Sequence, residues 1–433
     1  MQLSAFVSAF RTPDLRRKLL FTLFIIGIFR LGSLVPIPGV DYDAVQRCVT
    51  NAAENPLFGL INLFSGGALL RLSVFALGIM PYITASIIIQ LLTVVIPRLE
   101  SLKQEGQSGQ AKITQYTRYL TIGLAILQST GIVALARVPG RLIPGCNEQL
   151  LPQGDSTWLV LVNVITLVAG TAVIMWLGEN ITDKGVGNGM SLLIFTSIIA
   201  TFPGQIASIW TLDGPTITAL TLVVGVLTIM GVVFVEQAQR RIPVQYAKRM
   251  VGRRMYGGSS TYIPLKVNMA GVIPVIFASS LLYIPQLIVS LSGSTSEWAQ
   301  WVQRNFQNGT EAPYLIVYFV LILFFTYFYV AITFNPTEVA DNMKKYGGFI
   351  PGIRAGRPTA EYLDYVLTRL TLPGAIYLAV IAIIPSIAFV LLGVGNRFLF
   401  GGTSLLIMVG VGLDTVKQIE SQLQQRNYEG FLR

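Results

Sequence analysis

Residues 55–97 read NPLFGLINLFSGGALLRLSVFALGIMPYITASIIIQLLTVVIP, and this stretch decides the class of fold. Its first part, 55–71, has a helical apolar pattern that is too short to cross a bilayer, and it carries the pair Gly66-Gly67. Its second part, 72–96, is 25 residues without a charge, long enough to span. A half-length helix on a glycine hinge, ahead of a full span, predicts a segment that enters the membrane plane without crossing it. Non-helical backbone at that depth is tolerated only where protein or a water-filled cavity receives it.

Composition agrees. The chain has 433 residues, is 53% hydrophobic and only 12% charged, where soluble domains average about a quarter charged. A mean hydropathy of +0.63 completes the signature of an all-α polytopic membrane protein. There is no histidine, which removes the usual general base, metal ligand and proton shuttle together. Two cysteines, Cys48 and Cys146, lie in different loops. They pair only if both loops are exported and adjacent; two separate thiols are the plainer expectation.

Ten spans are predicted, at about 19–35, 72–96, 119–136, 158–177, 190–209, 217–235, 270–291, 314–334, 372–392 and 403–419. The fifth is weak, because Pro203-Gly204 follows only 13 apolar residues. Lysine and arginine set the orientation. Arg30, Arg47, Arg71, Arg137, Arg141, Arg304 and Arg397 fall on one side, and the other 24 of the 31 basic residues fall on the opposite side. Both termini are therefore expected in the cytoplasm. Five spans fall in 1–210 and five in 211–433, each set ending in a short or glycine-broken helix, which points to an inverted repeat around a central path.

Two cytoplasmic loops are long. Residues 236–267 read as a protruding β-hairpin turning at Gly257-Gly258. Residues 335–371 carry an exposed tip, FIPGIRAGRPT, and then an amphipathic helix, AEYLDYVLTRL. Their basic residues admit three readings: a solvated face, attraction to anionic lipid, or docking of an RNA-rich or acidic partner. Loop length favours docking.

The spans hold almost no charge. Ion-coupled transporters keep intramembrane carboxylates at a cost of about 2.5–3.5 kcal/mol each, and intramembrane hydrolases need a polar catalytic cluster. Neither pattern is visible, so no catalytic residue, metal site or cofactor is expected. What recurs is isoleucine. Ile79 and Ile83 lie four apart, on one helix face kinked at Pro81; Ile194, Ile276 and Ile407 each lie in a different span. Each alone is ordinary packing; together they could form a dry collar that gates by dewetting. Gln90, Gln128 and Asn268 are the few polar residues inside spans. They fit ordinary interhelical hydrogen bonds, worth about 0.6–2 kcal/mol, and equally the lining of a seam.

Several long motifs, among them ALGIMPYITASIIIQLLTVVIP, ITDKGVGNGMSLLIF, RRIPVQYAKR, STYIPLKVNMAGVIPVIFASS, NPTEVADNMKKYGGFIPGIRAGRPT and GGTSLLIMVGVGLDT, resemble the bacterial SecY family, the pore subunits of the Sec protein translocase. The resemblance covers nearly the whole chain. It implies ten helices in two pseudo-symmetric five-helix halves around an hourglass pore that passes unfolded polypeptides and releases spans sideways into lipid. By motif position it implies a pore ring of Ile79, Ile83, Ile194, Ile276 and Ile407, with Ser280 near a sixth place. It implies a plug at about 56–70, including Pro56, Leu60, Leu63, Phe64, Gly66, Gly67 and Leu70. Gln90, Gln128 and Asn268 fall at the polar cluster of a lateral gate, and Lys248, Arg253, Arg254, Arg354 and Arg357 at positions that dock the ribosome or the SecA motor. SecE and SecG are the implied small subunits, and signal sequences, nascent polypeptides and membrane lipid the remaining partners. The cysteine-bearing exported loops and the missing histidine look cyanobacterial, which would add a thylakoid address to the plasma membrane. The competing reading is a secondary transporter of a small solute.

Overall fold

A computed structural model describes residues 10, 12–51, 65–139, 146, 148–152, 156–246, 249–251, 254–256, 260–292, 296–306, 311–391 and 402–430. Each expected span contains helix, although the first eight residues of the second, 72–79, are not helical. The spanning helices are α1 (Pro13–Gly32), α3 (Met80–Val95), α5 (Gln107–Ala136), α6 (Thr157–Lys184), α7 (Gly189–Gln237), α8 (Ile273–Ser292), α10 (Ala312–Thr333), α12 (Arg357–Leu391) and α13 (Gly402–Gly430). Short helices α2 (Tyr42–Asn51), α4 (Pro97–Gln104), α9 (Glu297–Phe306) and α11 (Pro336–Lys345) join them. Helix α7 holds two spans. Pro203 lies inside the first one, as the expected span 190–209 implies, and the break comes at Gly214, whose φ of 84° no helix admits.

Among the described residues six helices are long and apolar enough to cross a membrane, or seven if α3 and α4, bent by 104°, count as one. The other three expected spans are helical but less apolar or shorter. Helix α1 carries Asp14, Arg16, Arg17, Lys18 and Arg30, α13 ends in a polar run, and the apolar part of α8 is Ile273–Leu282.

The stretch that opened the reading departs most from expectation. Residues 65–79 are successive turns, not helix, and α3 starts only at Met80 with Pro81 in its first turn. Absence of charge made 72–96 look like one span. Leu72, however, has φ 46°, the only positive value outside glycine among the described residues. A two-residue bridge replaces helical hydrogen bonds there: Ile37 N–H donates to Leu72 O and Val74 N–H to Val35 O, both at 2.9 Å. Residues 52–64, most of the expected plug, lie outside the described residues.

Burial divides into three apolar clusters within the bundle. One draws on residues 37–168 and contains Leu69, Leu72 and Leu167. Another draws on 229–413, with Ile87 at its margin. The third takes residues from both parts of the chain and lies between them. Residues 37–168 are also stapled covalently: Cys48 and Cys146 form a disulfide with Cα atoms 5.3 Å apart. This corrects the expectation of separate thiols. Sequence alone could not show that α2 lies against the 146–152 loop, where Asp41 N–H donates to Leu150 O. Beside the staple, Arg47 makes a bidentate ion pair with Glu148 (2.8 and 3.0 Å), which holds that exposed carboxyl below its usual range.

The loops at the opposite end form one module. Strand β1 (Gln239–Tyr246) pairs antiparallel with β4 (Ser260–Lys266) and, on its other edge, with β5 (Gly348–Phe349) from the second loop. Beyond them β2 (Arg249–Val251) pairs antiparallel with β3 (Arg254–Tyr256), Val251 opposite Arg254, and the expected turn at Gly257-Gly258 lies outside the described residues. Helix α12 begins fifteen residues ahead of its expected span, because AEYLDYVLTRL continues into it without a break. A shared core of Ile242, Val244, Leu265, Met343, Ile350 and Leu363 fuses both loops.

Closing a loop of 98 residues should stabilise this part of the fold by about 4–5 kcal/mol through chain entropy. Denatured, unreduced protein should therefore show no maleimide-reactive thiol, and two after reduction; two reactive thiols before reduction would contradict the pairing.

Candidate functional site

The five isoleucines singled out from sequence meet. Ile79 caps α3 and Ile83 follows one turn later, its N–H donating to Ile79 O at 3.1 Å. Ile194 lies near the start of α7, whose N-terminus is fixed by Asn188 Oδ1 accepting from the N–H groups of Met190 and Ser191. Ile276 comes from α8 and Ile407 from α13. Four of them are buried and Ile83 packs against them half-buried, in the cluster that lies between the two parts of the chain. Ile198, one turn beyond Ile194, belongs to the same cluster. The sequence reading missed it, although its four-residue spacing was visible. Ser280 is not a member; its buried hydroxyl has no partner.

On the disulfide side the cluster is covered by 65–79. Ala68 is fully buried within it, and Gly66 O accepts from Arg30 Nη1 at 2.9 Å. Of the expected plug, Gly66, Gly67 and Leu70 are thus placed; Pro56, Leu60, Leu63 and Phe64 lie outside the described residues. On the side of the β-module two cavities with charged residues in their linings adjoin the cluster. One, about 400 Å³, is lined by Ile83, Gln90, Arg118, Glu179, Ile194 and Ile276. The other, about 560 Å³, is lined by Glu236, Lys266, Asn268 and Asp414. They share Asn188, Ser191 and Ile273. Arg118 binds Glu179 through two parallel bonds of 2.8 and 2.9 Å, tying α5 to α6. Lys266 reaches Asp414 at 3.4 Å. The apolar cluster thus adjoins cavities whose linings carry charged side chains, and no described carboxylate belongs to the cluster itself.

The three polar residues expected at a seam do not come together. Gln90 is exposed in the first cavity and Gln128 is half-buried on α5. Asn268 is buried, and its Nδ2 donates to Glu236 Oε1 at 2.6 Å and to Gly271 O at 3.1 Å. Asn268 is thus committed to the end of α7, a partner the sequence reading did not assign. Helix α8 touches α3 and α5 only lightly, while α3 packs broadly on α5 and α8 on α10.

Of the basic residues, Lys248 and Arg253 lie outside the described residues, and Arg254 sits in β3 opposite Val251. Arg354 is exposed in the turn between β5 and α12, where its carbonyl accepts from Thr359 Oγ1 at 2.8 Å. Arg357 pairs with Glu361 one helical turn on. The fused core beneath holds that turn still while its guanidinium stays in water.

The sequence pattern of the SecY family matches residues 73–416. The chain is 66% identical to the protein translocase subunit SecY of Streptomyces scabiei and 60% identical to that of Mycobacterium bovis, each alignment covering all of both chains. These relatives give the cyanobacterial expectation no support. Among solved structures the fold is similar to "The structure of a protein conducting channel", with TM-score 0.60, 18% identity, and 93% and 91% of the two chains covered. It is similar to the same extent of coverage to a SecY whose plug domain is described as stabilising the closed state and maintaining a membrane seal, with TM-score 0.62 and 18% identity. It is also similar to the Sec61 channel of a canine ribosome-channel complex, with TM-score 0.59, 16% identity, and 93% and 91% covered. By its matched pattern and its full-length relatives, the chain belongs to the SecY family of protein translocase subunits.

Proposed function

We infer that the chain is the pore of a protein-conducting channel, passing unfolded polypeptides through its isoleucine cluster and releasing apolar spans through the thin contact of α8 with α3 and α5. One observation carries this: five isoleucines from both parts of the chain converge in a charge-free cluster, with cavities lined in part by charged residues on one side and the turn segment 65–79 on the other. A solute transporter would place a polar binding site at that depth, and the small-solute alternative is withdrawn. The cluster is the collar, and 56–70 the plug, of which Gly66–Leu70 is the described part. Residues 1–210 and 211–433 are the two halves, which accords with one apolar cluster in each and one between.

Both termini and the β-module face the cytoplasm of a cell whose inner membrane holds the chain, as the distribution of basic residues requires. The chain does no chemistry of its own. A motor ATPase (SecA) or a ribosome docks on the module through Arg354, Arg357, Lys248, Arg253 and Arg254, and SecE and SecG complete the complex. Gln90, Gln128 and Asn268 lie along the way out to lipid.

Two substitutions test this. Asn at Ile407, a position with no exposed surface, puts an amide into the collar at a cost of about 1–3 kcal/mol. It should raise resting ion conductance and admit precursors with weakened signal sequences; no change in either measurement would contradict the collar. Arg354→Glu should lower motor-driven translocation in proteoliposomes by about ten-fold or more while membrane insertion of the chain stays normal. Parental export would contradict docking at this turn.

A further inference from the structure

Segment 65–79 is held in two different ways. From Leu72 onward it is built into its neighbours. The bridge to Val35 and Ile37 fixes its backbone. Phe75 stacks on Phe29 of α1 with centroids 6.0 Å apart. The Phe75 ring fills the space where a Cβ on Gly32 would stand, 2.1 Å from its nearest atom. Across from it, Val74 O would lie 2.0 Å from a Cβ on Gly170 of α6. This part cannot shift without parting α1 from α6.

Upstream, Ala68 and Leu69 are held by apolar burial. Gly66 and Gly67 both have positive φ, 67° and 90°. A polar fastening to another element comes from Arg30, whose Nη1 donates to Gly66 O at 2.9 Å. A Cβ on Gly66 would lie 3.0 Å from that nitrogen and 3.2 Å from Ser197 Cα, so glycine is what lets the three approach. Immediately beyond, Ala68 enters the collar cluster.

The chemistry of this fastening suits release. Arg30 stands half-buried in the last turn of α1, and among the described residues no carboxylate pairs with it. A guanidinium bound to a carboxylate would be a permanent strut, because separation leaves two charges to be resolvated. Bound to a neutral carbonyl, it gains a charge-assisted bond that water can replace on both sides.

We propose that Arg30 is a positioning residue for channel closure, its guanidinium latching the Gly66 carbonyl so that Gly66–Leu70 stays seated on the collar while 72–79 remains fixed in the closed and open states alike. The proposal rests on the reading of 56–70 as the closing element. It gives the resting state a reversible polar fastening on the exported side.

The test is resting ion conductance of the purified translocase complex in planar bilayers, with no polypeptide in transit. Arg30→Met keeps the apolar stem and loses the donor; it should raise conductance about ten-fold, as expected for loss of one charge-assisted bond. Arg30→Lys, which can still donate to the same carbonyl, should restore most of the seal. Gly66→Ala leaves Arg30 intact but crowds it, and should leak as well, so the proposal stays testable if Arg30→Met assembles poorly. A chain lacking 56–70 should conduct at rest, and adding Arg30→Met to it should change conductance by less than about two-fold, since the two act on one element. If the deletion leaks but Arg30→Met and Gly66→Ala do not, the latch is wrong and the closing element stands. If Arg30→Met adds fully to the deletion, Arg30 acts on the collar and the latch is wrong. If the deletion does not leak, the closing element fails and the latch with it.

Discussion

The structure depends on the reluctance of water to wet a narrow band lined only by hydrocarbon. Ile79, Ile83, Ile194, Ile276 and Ile407 supply that band from four different helices. Apolar contact is non-directional, so the band can part around many side chains and close again without restoring particular hydrogen bonds. A polar constriction would seal less well and would select for chemistry. The near-absence of charge within the spans, which counted in the sequence against transporters and hydrolases, suits a path that must accept any sequence.

Around this soft centre the surroundings are stiff. The disulfide and the Arg47–Glu148 pair fasten one face, and the fused β-module fastens the other. Between them the two cavities carry Arg118–Glu179, Lys266–Asp414 and Glu236–Asn268. Lys266 ends β4 and Asn268 follows two residues later, ahead of α8. A load applied to the module therefore reaches a collar helix through a few residues of chain. In the proposed reading, rigid parts lie where partners would push and a separable part where the polypeptide would pass.

Much of this was legible in sequence because membrane burial writes in long uniform runs. The helices, the basic asymmetry and the convergent isoleucines all follow from composition at fixed spacing. The failures share a cause. Residues 72–79 are as apolar as a span, yet they fold as turns, because a bridge to Val35 and Ile37 meets their backbone needs instead. Hydropathy registers burial and is blind to how hydrogen bonds are satisfied. Likewise the pairing of Cys48 with Cys146, the strand β5 and the bond from Asn268 to Glu236 join residues far apart in the chain. One sequence gives residue types at those places but not their distances.

The central claim is that a polypeptide in transit passes through the isoleucine band and not along the outside of the bundle. It is tested most directly by stalling a secretory polypeptide that carries one cysteine at its midpoint, with Cys48 and Cys146 left in their disulfide. Single substitutions Ile83→Cys, Ile276→Cys and Ile407→Cys should each form a disulfide with the stalled chain, and Phe234→Cys, on the exposed surface of α7, should not. Crosslinking at Phe234 with none at the three collar positions would contradict the account.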